Sequence, residues 1–136
     1  MADYPYCNIH YKTHDAALDP QAFIHMANQV WSGKYNSLYT QEALTKTINI
    51  TAWDGKKLVG CVRVLTDGYF FGTITEILVL PEYQKCGIGK ALMELAFEAS
   101  PTSLFFGDQP QAVGFYEKLG YEKSVQSFAK KKPRRE

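Results

Sequence analysis

The sequence predicts a single α/β domain in which a mixed, mostly antiparallel sheet is flanked by helices. Apolar and polar residues alternate in runs between Ile48 and Leu80, joined at Asp54-Gly55 and Asp67-Gly68, dipeptides suited to tight hairpin turns. Before and after those runs the apolar residues recur at helical spacing instead. Size agrees, because 136 residues that are 46% hydrophobic and 14% aromatic suffice to bury one core. No repeat, and no linker rich in Gly, Ser or Pro, divides the chain.

A strand is expected around His10 to His14, where the pattern alternates. Asp19-Pro20 then starts a helix, since Pro at the first helical position loses only an orphan N–H; Phe23, Met26, Ala27 and Val30 carry its apolar face to about Trp31. Thr40 is placed to cap a second, shorter helix through Lys46, with Glu42 and Lys46 at i,i+4 spacing. Ile48, Ile50 and Ala52 mark the first strand of a meander, followed by Leu58 to Leu65 and by Thr73 to Leu80, which Pro81 ends. Gly87 to Ala99 reads as a helix through Ile88, Leu92, Leu95 and Ala96. Ser103 to Phe106 is a short strand. Pro110 opens a last helix that Gly120 closes, with Lys118 favourably set in its final turn. Tyr121 to Phe128 is long enough for one more strand.

Charge is unevenly distributed although its sum is only +1. Residues 130–136 hold five basic residues and one acid, so this tail is +4 and the body, residues 1–129, is −3. The overall balance gives no reason to expect a membrane or nucleic-acid partner. Cys7, Cys61 and Cys86 are odd in number and widely spaced, which reads as free thiols in a reducing compartment. The first residues contain no apolar stretch behind a basic one, and no later run approaches a membrane span, so a soluble cytoplasmic protein is expected. His10 and His14 stand four apart on a strand-like segment without a third ligand motif, and no metal is predicted.

Chemistry concentrates in the run from Ile74 to Leu92. A strand ends in a polar turn that feeds a helix through Gly87 and Gly89, so successive backbone N–H groups and the positive helix end face one point, an anion cradle. It is not a dinucleotide fingerprint, whose third glycine would fall at Leu92, nor a Walker A loop, since Ala91 follows Lys90.

Gln84-x-x-Gly87-x-Gly89 after Leu78-Val79-Leu80-Pro81 resembles the acyl-CoA loop of the GNAT superfamily of N-acyltransferases. A second element, Gln109 to Tyr121, resembles that family's later helix, with Ala112, Phe115, Tyr116, Lys118, Gly120 and Tyr121 in matching places and Gln109 where Asn is usual. The resemblance extends over roughly residues 48 to 128 and implies a GNAT-like fold with acetyl-CoA as co-substrate. It implies that backbone groups of Leu78, Val79 and Leu80 pair with the pantetheine arm. It further implies that Gln84, Lys85, Cys86, Gly87, Ile88, Gly89 and Lys90 surround the pyrophosphate and that Gln109 contacts the cofactor. Tyr116 matches the tyrosine that protonates the departing thiolate. Members with a carboxylate on the strand before the loop use it to take a proton from the attacking amine, and Glu76 is the acid on that strand. Trp31, Tyr35 and Tyr39 stand where the superfamily builds the acceptor side of its cleft.

Each assignment has a plainer reading: Tyr116 as a packed helix tyrosine, Glu76 as the partner of a nearby cation, Trp31 as core or loop packing, the tail as a solvated end. Cys86 has no neighbouring base in sequence, which favours direct transfer over an acyl-enzyme. The expected function is acetyl transfer to a primary amine, with a small-molecule acceptor and homodimers common in the superfamily. The alternatives are a non-catalytic acyl-CoA-binding or sensing module, and a protein-lysine acetyltransferase directed by the basic tail.

Overall fold

Local chemistry sets where each element of the protein begins and ends. The computed structural model describes residues 8–107, 113–124 and 127–135. A short strand β1 (His10–Lys12) precedes α1 (Pro20–Val30), where Asp19 accepts the Gln21 N–H at 3.0 Å and Pro20 takes the first turn. Helix α2 (Ser37–Leu44) starts before the predicted Thr40 cap, because Asn36 accepts the Tyr39 N–H at 2.9 Å and caps the helix first. Lys46 therefore lies beyond the helix, yet its ammonium still reaches Glu42 at 3.7 Å.

The meander follows as β2 (Ile48–Asp54), β3 (Lys57–Thr66) and β4 (Gly72–Val79), in the antiparallel order β1-β2-β3-β4. Gly55, at φ +59°, turns the first hairpin. The second is wider: the Asp67 carboxylate accepts the N–H groups of Tyr69, Phe70 and Phe71 at 2.8 to 3.0 Å, and β4 begins only at Gly72. Glycine is required there, since a Cβ would lie 2.4 Å from Thr102 Oγ1 and 3.0 Å from the Ser103 carbonyl.

That approach adds an isolated parallel bridge to an otherwise antiparallel sheet. The predicted strand at Ser103 to Phe106 reduces to one parallel bridge, Thr73 with Phe105, held by Ile74 N–H to Phe105 O at 3.3 Å and Phe105 N–H to Gly72 O at 3.0 Å. The predicted strand from Tyr121 is not formed at residues 121–124 or 127–128, which are irregular; residues 125–126 lie outside the described residues. Its length suggested a strand, but no alternating face supported it, and Phe128 is 96% exposed.

Helix α3 (Ile88–Ala99) lies on one face of the sheet and buries Ile88, Leu92, Met93 and Ala96. Gly60 admits it, because a Cβ there would stand 3.1 Å from Ile88 Cγ2 and 3.3 Å from Leu92 Cδ1. Helix α1 covers the other face with Phe23, Met26 and Ala27. Helix α4 (Val113–Lys118) is closed by a turn at Gly120, whose φ of +85° suits the left-handed position; Pro110, expected to open this helix, lies outside the described residues. Among the described residues no helix is long and apolar enough to cross a membrane.

Candidate functional site

The site is built on the outer edge of β4. Phe105 covers that edge only at residues 72–74; beyond it no described strand pairs with the backbone up to Val79, whose carbonyl is met by the Gln84 side chain. Orientation follows from the register. Leu80 donates its N–H to Val59 O at 2.9 Å, so by antiparallel alternation Leu78 and Glu76 also turn their backbone groups inward to β3. Ile77 and Val79 turn theirs outward. Of the three residues expected to pair with a pantetheine arm, Val79 therefore presents its backbone to the open edge, while the Leu78 and Leu80 amides are engaged in the sheet. Ile77, which the sequence reading passed over, takes their place; only the register reveals this.

Beyond Val79 the chain makes a 3₁₀ turn (Pro81–Tyr83) and enters α3 at Gly87, whose φ is +73°. Gln84 folds back, its Nε2 donating to the Val79 carbonyl at 3.2 Å. The Cys86 N–H already donates to Tyr83 O at 3.3 Å, and the first bond of α3 runs from Ala91 N–H to Gly87 O at 3.1 Å. The amides of Ile88, Gly89 and Lys90 consequently have no partner inside the helix and point out of its positive end. Lys85 and Lys90 are exposed beside them, whereas the Ile88 side chain is fully buried. The two glycines serve different ends. A Cβ at Gly87 would meet open space, but one at Gly89 would stand 3.2 Å from the ring of Phe115, so Gly89 also lets α4 dock on α3.

On the α1 side of β4 lies a cavity of about 460 Å³ that brings together Trp31, Tyr35, Tyr39, Glu76 and Leu78. A β-bulge places them: Arg63 faces Glu76 while Val64 faces Ile74, so Thr75 is the extra residue, and Glu76 shares a face with Leu78. Arg63, absent from the sequence reading, grips Glu76 bidentately, with Nη2 donating to Oε1 at 2.9 Å and Nε donating to Oε2. Thr75 Oγ1 donates to Oε1 at 3.0 Å. Burial works against the charge of Arg63, but its bonds to Glu76 prevail and hold the guanidinium above its ordinary value.

Tyr116 stands elsewhere, in an aromatic cluster with Phe106 at 5.0 Å, Phe115 at 5.1 Å and Tyr121 at 6.2 Å between ring centres. Gln109 lies outside the described residues. Cys61 is a buried free thiol, but Cys86 is disulfide-bonded, which corrects the reading of free thiols; wide spacing in sequence says nothing about which side chains meet in space. Among the described residues no three His, Cys, Asp or Glu side chains gather where a metal could bind.

The acetyltransferase (GNAT) domain family model matches residues 46–123. The chain is 44% identical over 73 residues to GCN5-related N-acetyltransferase 2, chloroplastic, of Arabidopsis thaliana, covering 49% of this chain and 28% of that protein. It is 40% identical over 73 residues to a histone acetyltransferase of Glycine max, covering 49% and 29%. The matches thus span under a third of these two relatives' lengths. Among solved structures, glucosamine-6-phosphate N-acetyltransferase from Arabidopsis thaliana superposes with a TM-score of 0.74 at 13% identity, covering 91% of this chain and 98% of that one, a likeness of fold.

Proposed function

The chain belongs to the GNAT acetyltransferase family, and from that premise we propose that it moves an acetyl group from acetyl-CoA directly to a primary amine of a small molecule. One juxtaposition carries the reading. The open edge of β4 runs into a helix start whose first amides have no partner inside the helix, and the same strand forms a wall of the aromatic cavity through Glu76 and Leu78.

The residues present suit the co-substrate. The outward backbone groups of Ile77 and Val79 would take the pantetheine amides as an added strand would, the Gln84 side chain giving up the Val79 carbonyl. The amides from Gly87 to Lys90, with the charges of Lys85 and Lys90, would hold the pyrophosphate. Acetyl-CoA supplies a reactive thioester. What the chain adds is position and proton management: Trp31, Tyr35 and Tyr39 form the acceptor wall, Glu76 receives a proton from the incoming ammonium, and Tyr116 donates one to the leaving sulfur. Glu76 retains capacity for this. A carboxylate has about four acceptor positions, and three are taken by Arg63 and Thr75. The remaining one, on Oε2, has no hydrogen-bond partner among the described residues and would take an amine or a water.

Direct transfer is preferred to an acyl-enzyme because a disulfide-bonded Cys86 has no thiolate to offer. The Arg63 clamp favours a second reading, a non-catalytic acyl-CoA-binding module in which Glu76 is structural; turnover separates the two. The first experiment is a thermal shift. Acetyl-CoA should raise the melting temperature by selective binding to the folded state, and Gly87→Asp should abolish the shift. A larger shift with NAD or ATP would overturn the reading. A side chain at Gly89 would disturb Phe115, whereas one at Gly87 meets open space but strains its φ of +73°, so the acetyl-CoA shift of Gly87→Asp is measured from that variant's own unliganded melting temperature.

A further inference from the structure

The basic segment returns to the acceptor cavity. Arg134 and Arg135 line it together with Trp31, Tyr35, Tyr39 and Glu76. The Arg134 guanidinium lies 5.7 Å from the Tyr35 ring centre and that of Arg135 lies 4.2 Å from the Tyr39 ring centre, cation on aromatic face in both cases. Arg135 Nη2 is also 3.9 Å from Glu42 Oε2. Both rings are anchored. Tyr35 Oη donates to the Trp31 carbonyl at 2.8 Å, and Tyr39 stands in the first turn of α2, fixed by the Asn36 cap.

Net charge does not explain the attraction. Lys34 also lines the cavity, and Arg63 and Glu76 neutralise each other, so the arginines are drawn by the ring faces and by Glu42. These contacts are displaceable, since the Arg135 and Glu42 side chains are 69% and 49% exposed. A guanidinium also keeps its proton at any working pH and cannot attack a thioester.

We propose that Arg134 and Arg135 are a tethered, unreactive occupant of the acceptor cavity, and that the acceptor displacing them is a small amine with a second cationic group. The substrate class rests on the acetyl-transfer reading above; the occupancy does not. Two adjacent rings, each holding a cation, suit a linear diamine: one ammonium rests on a ring while the other amine is presented toward Glu76. Tethering gives the arginines a high local concentration, so a free dication competes against them at every encounter.

The test measures binding and turnover separately. In the absence of acetyl-CoA, the dipeptide amide Arg-Arg should bind the Arg134→Ala/Arg135→Ala protein about three- to tenfold more tightly than the unsubstituted chain, by titration calorimetry. The Arg134→Lys/Arg135→Lys protein, which keeps both cations, should bind it like the unsubstituted chain. In thiol-release assays the alanine substitutions should lower KM for 1,4-diaminobutane by a similar factor and leave butylamine far less affected. Equal dipeptide affinity in all three proteins, or none in any, overturns the occupancy. A dipeptide effect without acetyl transfer to any amine supports the occupancy and refutes the activity. Transfer that prefers butylamine overturns the diamine class alone.

Discussion

Arg63 and Glu76 face each other across β3 and β4 and share two parallel hydrogen bonds, with side chains only 17% and 15% exposed. A pair this sheltered is costly to break from one side, because the partner left behind is a charge with little water around it. Glu76→Gln should therefore lower stability by roughly 2–4 kcal/mol in urea unfolding, and Arg63→Gln combined with Glu76→Gln should cost less than the two single changes added.

The same substitution reads out proton transfer. Alkyl amines have pKa values near ~10, so at neutral pH the acceptor arrives protonated, and only its neutral form attacks. If Glu76 takes that proton, the kcat/KM deficit of Glu76→Gln is largest at low pH and shrinks as pH rises toward the amine's own value. A deficit independent of pH would make Glu76 a structural partner of Arg63.

Tyr116→Phe keeps the ring that packs on Phe106 and Phe115 and removes only the hydroxyl. If Tyr116 is the proton donor to the leaving thiolate, loss of the hydroxyl should reduce kcat by ~10²–10⁴ with little change in acetyl-CoA affinity. An unchanged kcat would return Tyr116 to packing alone.

Burial, and after it the nearby Glu76 charge, push the Cys61 thiol well above its ordinary value, against the opposing effect of Arg63. Iodoacetamide at pH 8 should thus leave Cys61 unmodified in the folded protein and alkylate it in urea, as read by mass spectrometry of its peptide. Labelling at equal rates in both states would contradict its burial.

Asp67 accepts the amide of Tyr69, then those of Phe71 and Phe70, and its carboxyl is held below the usual value by these bonds. The depressed value fixes the sign. Support for the hairpin is present above the unfolded carboxyl value of about 3.9 and is lost as pH falls through the lower folded value. Relative to the intrinsic rates, amide exchange at residues 69–71 should accelerate only in that acid window, and Asp67→Ala should show the fast rate at neutral pH.

Signals confined to a few neighbouring residues were legible in the sequence. Asp19-Pro20, Asp54-Gly55 and Pro81 act through φ, ψ and a single N–H, and the boundaries they set lie where they were expected; Gly120 takes the positive φ expected of it. The glycine loop after a strand was legible for the same reason. What escaped depends on pairings distant in the chain. The bulge at Thr75 decides which of residues 76 to 79 faces the cavity or the open edge, and nothing in Thr75 itself announces it. Arg63 lies 13 residues from Glu76, and the tail meets Tyr35 and Tyr39 from the far side of the whole sheet in sequence. The strand expected at Tyr121 failed because length without alternation is no evidence of a face to bury.

Release of free thiol from acetyl-CoA, measured across a panel of primary amines with the unsubstituted chain, decides whether the protein is an acetyltransferase. Thiol release should rise and saturate with amine concentration, with the acetylated amine found by mass spectrometry in equal amount. Tight acetyl-CoA binding with no amine-dependent thiol release anywhere in a panel of diamines, monoamines, aminoglycosides, amino acids and lysine peptides would rule out acetyl transfer to amines and make the protein a binding module.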